Sequence, residues 1–286
     1  MSVDILQEKI RKTKNPSVLE LNLALSDLPP QFERNGDGYG SYCRALLDCL
    51  KGVVPAVRFS FSAFALNGAF DQLRESMAYA GEQGYYVLLD APEILSPAAA
   101  NLTAEALLGE GSSYLCDGLV ISGYLGSDVI KPFMAYCKKR DKDIFVVTRT
   151  ANKSAAELQD LLSGTRLVHA AAADHVNRHG ADTAGKFGYT RVGILAAASA
   201  ADSLRNLRIK YPRLFFLIDG YDYPNANAKN CSFAFDKFGH GAAVCSSSGI
   251  SCAWTLAESD GRDFADHAKA AAERMKKNLT RYVNIL

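Results

Sequence analysis

Long apolar runs are absent: no stretch of the 286 residues approaches the ~20 consecutive apolar positions a membrane-spanning helix needs. No membrane partner is therefore expected. An excess of charge of one sign is absent as well. Lys and Arg total 32 against 31 Asp and Glu, a formal net charge of +1, so no overall field draws the chain to nucleic acid. Cysteine is present but unpatterned. The seven, Cys43, Cys49, Cys116, Cys137, Cys231, Cys245 and Cys252, are odd in number and form no Cys-x-x-Cys or Cys/His zinc spacing. That argues against a disulfide framework and for reduced thiols in a cytoplasmic protein. Histidine is scarce, at five. His175 and His179 share a helix face at i, i+4 spacing, but "HVNRH" lacks the glutamate of a His-Glu-x-x-His zinc helix. They read as packing residues, and no metal is expected. Missing too are a Gly-x-Gly-x-x-Gly turn after the first strand, a Walker A loop and a Gly-x-Ser-x-Gly elbow. No cofactor is expected. The start, "MSVDILQEKIRKTKN", has no apolar core of a signal peptide and reads as an amphipathic helix over 1–14. No linker or low-complexity stretch interrupts the chain, which predicts one domain over 1–286.

What is present is a rhythm. Apolar runs stand at 17–25, 53–61, 84–90, 118–124, 143–150, 191–198, 213–219 and 241–248. Helical patterns separate them, at 42–50, 70–80, 102–108, 130–138, 155–162, 168–179, 204–209 and 233–237, and a basic helix follows over 258–282. Near-continuous apolar strands alternating with helices imply a parallel sheet covered on both faces. Eight such units predict an α/β fold, a (β/α)8 TIM barrel; the rival is an open doubly wound sheet. In a barrel the chemistry sits where strands end, here at Asn22, Arg58, Asp90, Ser122, Thr150, Ala197, Asp219 and Ser247. Asp90 closes the run "YYVLLD" and is followed by "APEIL" in place of polar partners. It reads either as a site carboxylate or as a strand-end cap paired with Arg58. "CSSSGI" reads either as a loop offering N–H groups and hydroxyls to an anion or as a Ser-rich turn. Asp219 and Asp222 bring negative charge to the neighbouring loop and permit a cation or a polyhydroxylated neutral ligand.

Several blocks carry a resemblance. "SGYLGSDVIKPFMAYCKKRDKDIFVVTRTANKSAAELQDLL", "YPRLFFLIDGY", "AAVCSSSGI" and "LELNLALSDLP" occur in that family's order when set beside orotidine 5'-monophosphate decarboxylases of the longer bacterial type. The chain resembles that family over residues 15 to 255. The resemblance implies a barrel, a homodimer with the active site at its interface, and a small phosphorylated or nucleotide-like ligand. It also implies a charged network: an Asp after the first strand, a Lys after the second, an Asp-x-Lys-x-x-Asp motif after the third, and a Gln and an Arg clamping phosphate.

Set on that pattern, the chain departs at most positions. The first Asp falls on Asn22 and the second-strand Lys on Arg58. In the motif Asp90 remains, the Lys falls on Pro92 and the second Asp on Leu95. The Gln falls on Pro224 and the Arg on Ser248. Thr150 and Asn152 remain, and with Ser246, Ser247, Ser248 and Gly249 they are the ligand-binding positions the resemblance implies. Proline has no titratable proton and arginine is effectively never deprotonated, so neither replaces the proton-donating lysine. The expectation is a homologue that binds a ligand without decarboxylating it. Two alternatives stay open: altered chemistry through Asp90, Glu93, Asp219 or the serine loop, or an active decarboxylase in which the motif sits elsewhere.

Overall fold

Each barrel strand is a run of five to eight residues in which nearly every position is buried, the signature of a sheet covered on both faces. A computed structural model describes residues 2–286. Its strands are β1 (Ser17–Leu21), β2 (Ala56–Ser60), β3 (Tyr86–Asp90), β4 (Gly118–Ser122), β5 (Asp143–Val147), β6 (Thr190–Ala197), β7 (Leu214–Asp219) and β8 (Ala242–Ser246). All pair in parallel with their sequence neighbours, and β8 pairs with β1 to close the ring. Closure excludes the open-sheet rival. The eight predicted strands are all present; seven are shorter than their apolar runs, and β6 has the same length, displaced by one residue.

The first helix, Ser2–Thr13, lies across the end of the barrel where the strands begin. Leu6 and Ile10 are fully buried, each contributing about 1.5–3 kcal/mol by leaving water. Ser2 Oγ donates to the Tyr86 hydroxyl at 3.2 Å, and the Gln7 carboxamide oxygen accepts from Gly241 N at 2.9 Å. This end is sealed, which leaves the opposite end for a site.

Three helical expectations shift. The segment 155–162 is not a helix. It holds a short 3-10 turn, Lys153–Glu157, and then a hairpin pairing Leu162–Ser163 with Arg166–Leu167. Side chains pull it back onto the end of β5: Asp160 accepts from Arg149 Nε and Nη2, both at 2.9 Å, and Gln159 Oε1 accepts from Thr150 N at 2.8 Å. Gly164, at φ +65°, then reverses the chain. The helix expected at 233–237 sits earlier, at Ala228–Ser232, because the Asn227 side chain caps it by accepting from Asn230 N at 2.9 Å. The last helix begins at Phe264, after Glu258 and Gly261 take positive φ in the preceding turn. Among the described residues no helix is long and apolar enough to cross a membrane.

Candidate functional site at the barrel mouth

Strand parity places the site. On β1, Val18 and Glu20 share one face, Asn22 follows just past the strand's end, and Glu20 stands opposite Arg58 in the β1–β2 register. Arg58 sits at the centre with its side chain only 7% exposed. Its Nε donates to Asp90 Oδ1 at 2.6 Å and its Nη1 to Asp219 Oδ1 at 2.9 Å. Glu20 Oε2 lies 3.5 Å from the same Nη1. The expected pairing of Arg58 with Asp90 is therefore present, and two further carboxyls join it. Glu20 is not among the expected site residues, although it stands as a lone charge inside the apolar strand "SVLEL".

Burial sets the protonation of this group. It pushes the Glu20 carboxyl up to about 8; Asp219, Asp90 and Asp222 add to the rise and Arg58 opposes it. Asp90 is also raised, by burial first, with Arg58 pulling against it. Burial alone would lower Arg58, but Asp90, Glu20 and Asp219 more than offset it and hold the guanidinium charged. Burial also holds the Cys245 thiol neutral, which rules it out as a ready nucleophile.

These groups line an open cleft of about 480 Å³ together with Asn22, Tyr221, Tyr223, Pro224, Ser247 and Ser248. No lysine lines it. A larger hollow, about 990 Å³, lies on the outer wall between helices Pro97–Leu108 and Lys131–Lys139, away from the strand ends. Among the described residues no three His, Cys, Asp or Glu side chains gather to hold a metal.

The serine loop is already engaged. The Asp222 carboxylate accepts from Ser246 Oγ at 2.8 Å, Ser247 N at 2.7 Å and Gly249 N at 3.2 Å. Gly249 permits this approach, since a Cβ there would collide with Asp222. These donors are therefore already taken by a carboxylate of the chain itself.

The other singled-out residues scatter. Pro92 is half-buried and Leu95 is 73% exposed; neither lines the cleft, nor does the exposed Glu93. Thr150 and Asn152 bond to each other, Oγ1 to Oδ1 at 2.6 Å, on the loop after β5 and outside the cleft lining. His175 meets Ser127 and Arg178 on an outer helix, as a packing residue does.

No protein-family model matches the chain. It is similar to the orotidine 5'-phosphate decarboxylase of Rhodopirellula baltica, 28% identical over 96% of this chain and 97% of that one. It is similar to that of Clostridium novyi, 26% identical over 98% of both. Among solved structures, Leishmania donovani OMP decarboxylase matches with a TM-score of 0.72 and 22% identity, covering 96% of this chain and 99% of that one. The Methanocaldococcus jannaschii enzyme, solved with the inhibitor BMP, matches with a TM-score of 0.63 and 15% identity, covering 91% and 98%.

Proposed function

Because this chain is a homologue of the orotidine 5'-phosphate decarboxylases, of their longer type, we propose that it is a non-catalytic, ligand-binding form of that barrel. One observation carries the reading. Among the described residues the only cation lining the cleft is Arg58, and it is spent on Asp90 and Asp219. A carbanion left by departing carbon dioxide needs a proton from an acid that can release one, and a guanidinium does not. Removing one general acid typically costs about 10²–10⁴ in rate. Pro92 and Leu95, at the motif positions, supply neither acid nor carboxylate. Leu95, 73% exposed near the mouth, supports a homodimer in which this contact has become apolar.

The test is decarboxylation of orotidine 5'-phosphate, followed by ultraviolet absorbance at high protein concentration. Folded protein is expected to show no turnover above background. Turnover that co-purifies with the protein and disappears in Asp90→Asn would overturn the reading. A second reading is favoured by Glu20. A carboxyl raised to about 8 on the cleft wall, 3.5 Å from Arg58 Nη1, can serve as a general acid, which supports altered chemistry on another substrate. A substrate-dependent pH profile that collapses in Glu20→Gln would select it.

A further inference from the structure

The outer-wall hollow of about 990 Å³, between helices Pro97–Leu108 and Lys131–Lys139, is cationic. Lys131, Lys139, Arg140 and Lys142 line it against a single carboxylate, Glu110. The whole chain is nearly neutral, at +1, so this is a local concentration of charge. The acids nearest in sequence are engaged elsewhere. Asp141, the one carboxylate in the run "KKRDK" (138–142), takes φ +55°, accepts from Arg191 and does not line the hollow. Asp182 accepts from Lys138 Nζ at 2.6 Å, also outside the lining. Asp128 lies 3.8 Å from Lys131 with both side chains exposed, a weak pair. Among the described residues the Lys139 and Arg140 side chains meet no carboxylate. Lys142 Nζ donates to the Cys116 carbonyl at 2.5 Å, which fixes the ammonium without neutralising it. The helix dipole explains only part of this. Lys139 and Arg140 stand at the C-terminal end of their helix, where a cation is favoured, but Lys131 is its first residue, where a cation is disfavoured. Like charges gathered round one hollow repel until an anion joins them.

We propose that this hollow is a second binding site and takes an oligophosphate, two or more linked phosphoryl groups, free or carried by a nucleoside. It lies apart from the barrel mouth, and its failure would leave the reading of the mouth untouched. Linked phosphoryl groups bring several negative charges on one short chain, so one ligand meets several of these cations at once. The Arg140 guanidinium can offer two parallel N–H groups to one phosphoryl, while the lysines act as point charges. A long nucleic acid would need a basic stripe. Here the cations surround one hollow of small-molecule size. Tyr136 stands one turn before Arg140 on the same helix face and also lines the hollow, which puts an aromatic ring beside the phosphate positions.

Calorimetry on the unaltered protein at low salt tests this, with inorganic tripolyphosphate as the probe. Tripolyphosphate is expected to bind at least about tenfold more tightly than orthophosphate, since it meets more than one cation, and to weaken as salt is added. ATP without magnesium identifies the source: tighter binding than tripolyphosphate points to a nucleotide, and equal binding to a bare phosphate chain, each in support of the site.

Two variants separate a built site from a diffuse field. Lys139 and Lys138 are adjacent, exposed and of equal charge, but only Lys139 lines the hollow, while Lys138 is held by Asp182. The pair Lys139→Ala with Arg140→Ala, checked for an intact melting transition, is expected to weaken tripolyphosphate by about tenfold or more. Lys138→Ala is expected to leave it unchanged. An equal loss from Lys138→Ala and Lys139→Ala overturns the proposal, as does the absence of tripolyphosphate heat at millimolar concentration or orthophosphate binding as tight as tripolyphosphate. Hexa-aspartate binding as tightly as tripolyphosphate also overturns it, and assigns the hollow to an acidic peptide.

Discussion

At the scale of single residues, two buried ionisable side chains carry measurable consequences. Asp143, at the start of β5, is fully buried; Tyr86 donates to its Oδ2 at 2.5 Å while Oδ1 has no partner. Burial lifts its carboxyl to about 8. The folded protein therefore holds a proton that the unfolded chain releases near pH ~4. Stability from this group is fully present below pH ~4 and declines as pH rises toward about 8, by up to ~1.4 kcal/mol per pH unit. Asp143→Asn is expected to flatten that decline, so its melting temperature should exceed the parent's at pH 8 and approach it at pH 5. A variant that follows the parent at both pH values would refute the assignment. Arg58 behaves oppositely to a surface cation. Its removal in Arg58→Ala strands the half-buried Asp90 and Asp219, and chemical denaturation is expected to show a loss of at most about 3–5 kcal/mol, the cost of breaking a fully buried pair. This residue pair also marks what sequence can and cannot disclose. Arg58 and Asp90 were legible as strand ends, but Glu20 was not, because its importance lies in strand parity and in the partners Arg58 has already taken.

At the scale of elements, the strands were readable because parallel strands buried on both faces leave unbroken apolar runs, and nothing else in this composition does so. The segment after β5 was not, because Leu158, Leu161 and Leu162 mimic a helical face while all three are exposed. What decides its path is the tie from Asp160 and Gln159 back to Arg149 and Thr150, a contact no periodicity encodes. The loop after β7 is tied in the same way, through Asp222 to the loop after β8. Gly220 makes the turn at φ +73°, and a Cβ there would run into Ala151. Asp222→Ala is expected to free the serine-loop donors and tighten uridine 5'-phosphate by roughly tenfold at low salt, fading as ionic strength rises. Unchanged affinity would show that the donors are not the limiting feature.

At the scale of the whole molecule, the closed ring was legible from the count of strands, whereas a homodimer is a proposal that rests on resemblance alone. If Leu95 lies in a homodimer contact, Leu95→Glu should convert a dimer into a monomer in sedimentation velocity without lowering the melting temperature of the subunit. A parent protein that sediments as a monomer would end that proposal. The ring closes by joining Ser17–Leu19 to Val244–Ser246, the barrel strands farthest apart in sequence. Arg11 Nε and Lys14 Nζ donate to the carbonyls of Leu286 and Ile285, each at 2.8 Å. The C-terminal tail thus lies against the end of the first helix, just before β1. Handles fixed at residues 2 and 286 and drawn apart in an optical trap would first strip the helices Ser2–Thr13 and Phe264–Thr280; the load then reaches β1 at its start and β8 at its end, opposite ends of two parallel strands, so the seam is expected to resist in shear and yield at high force.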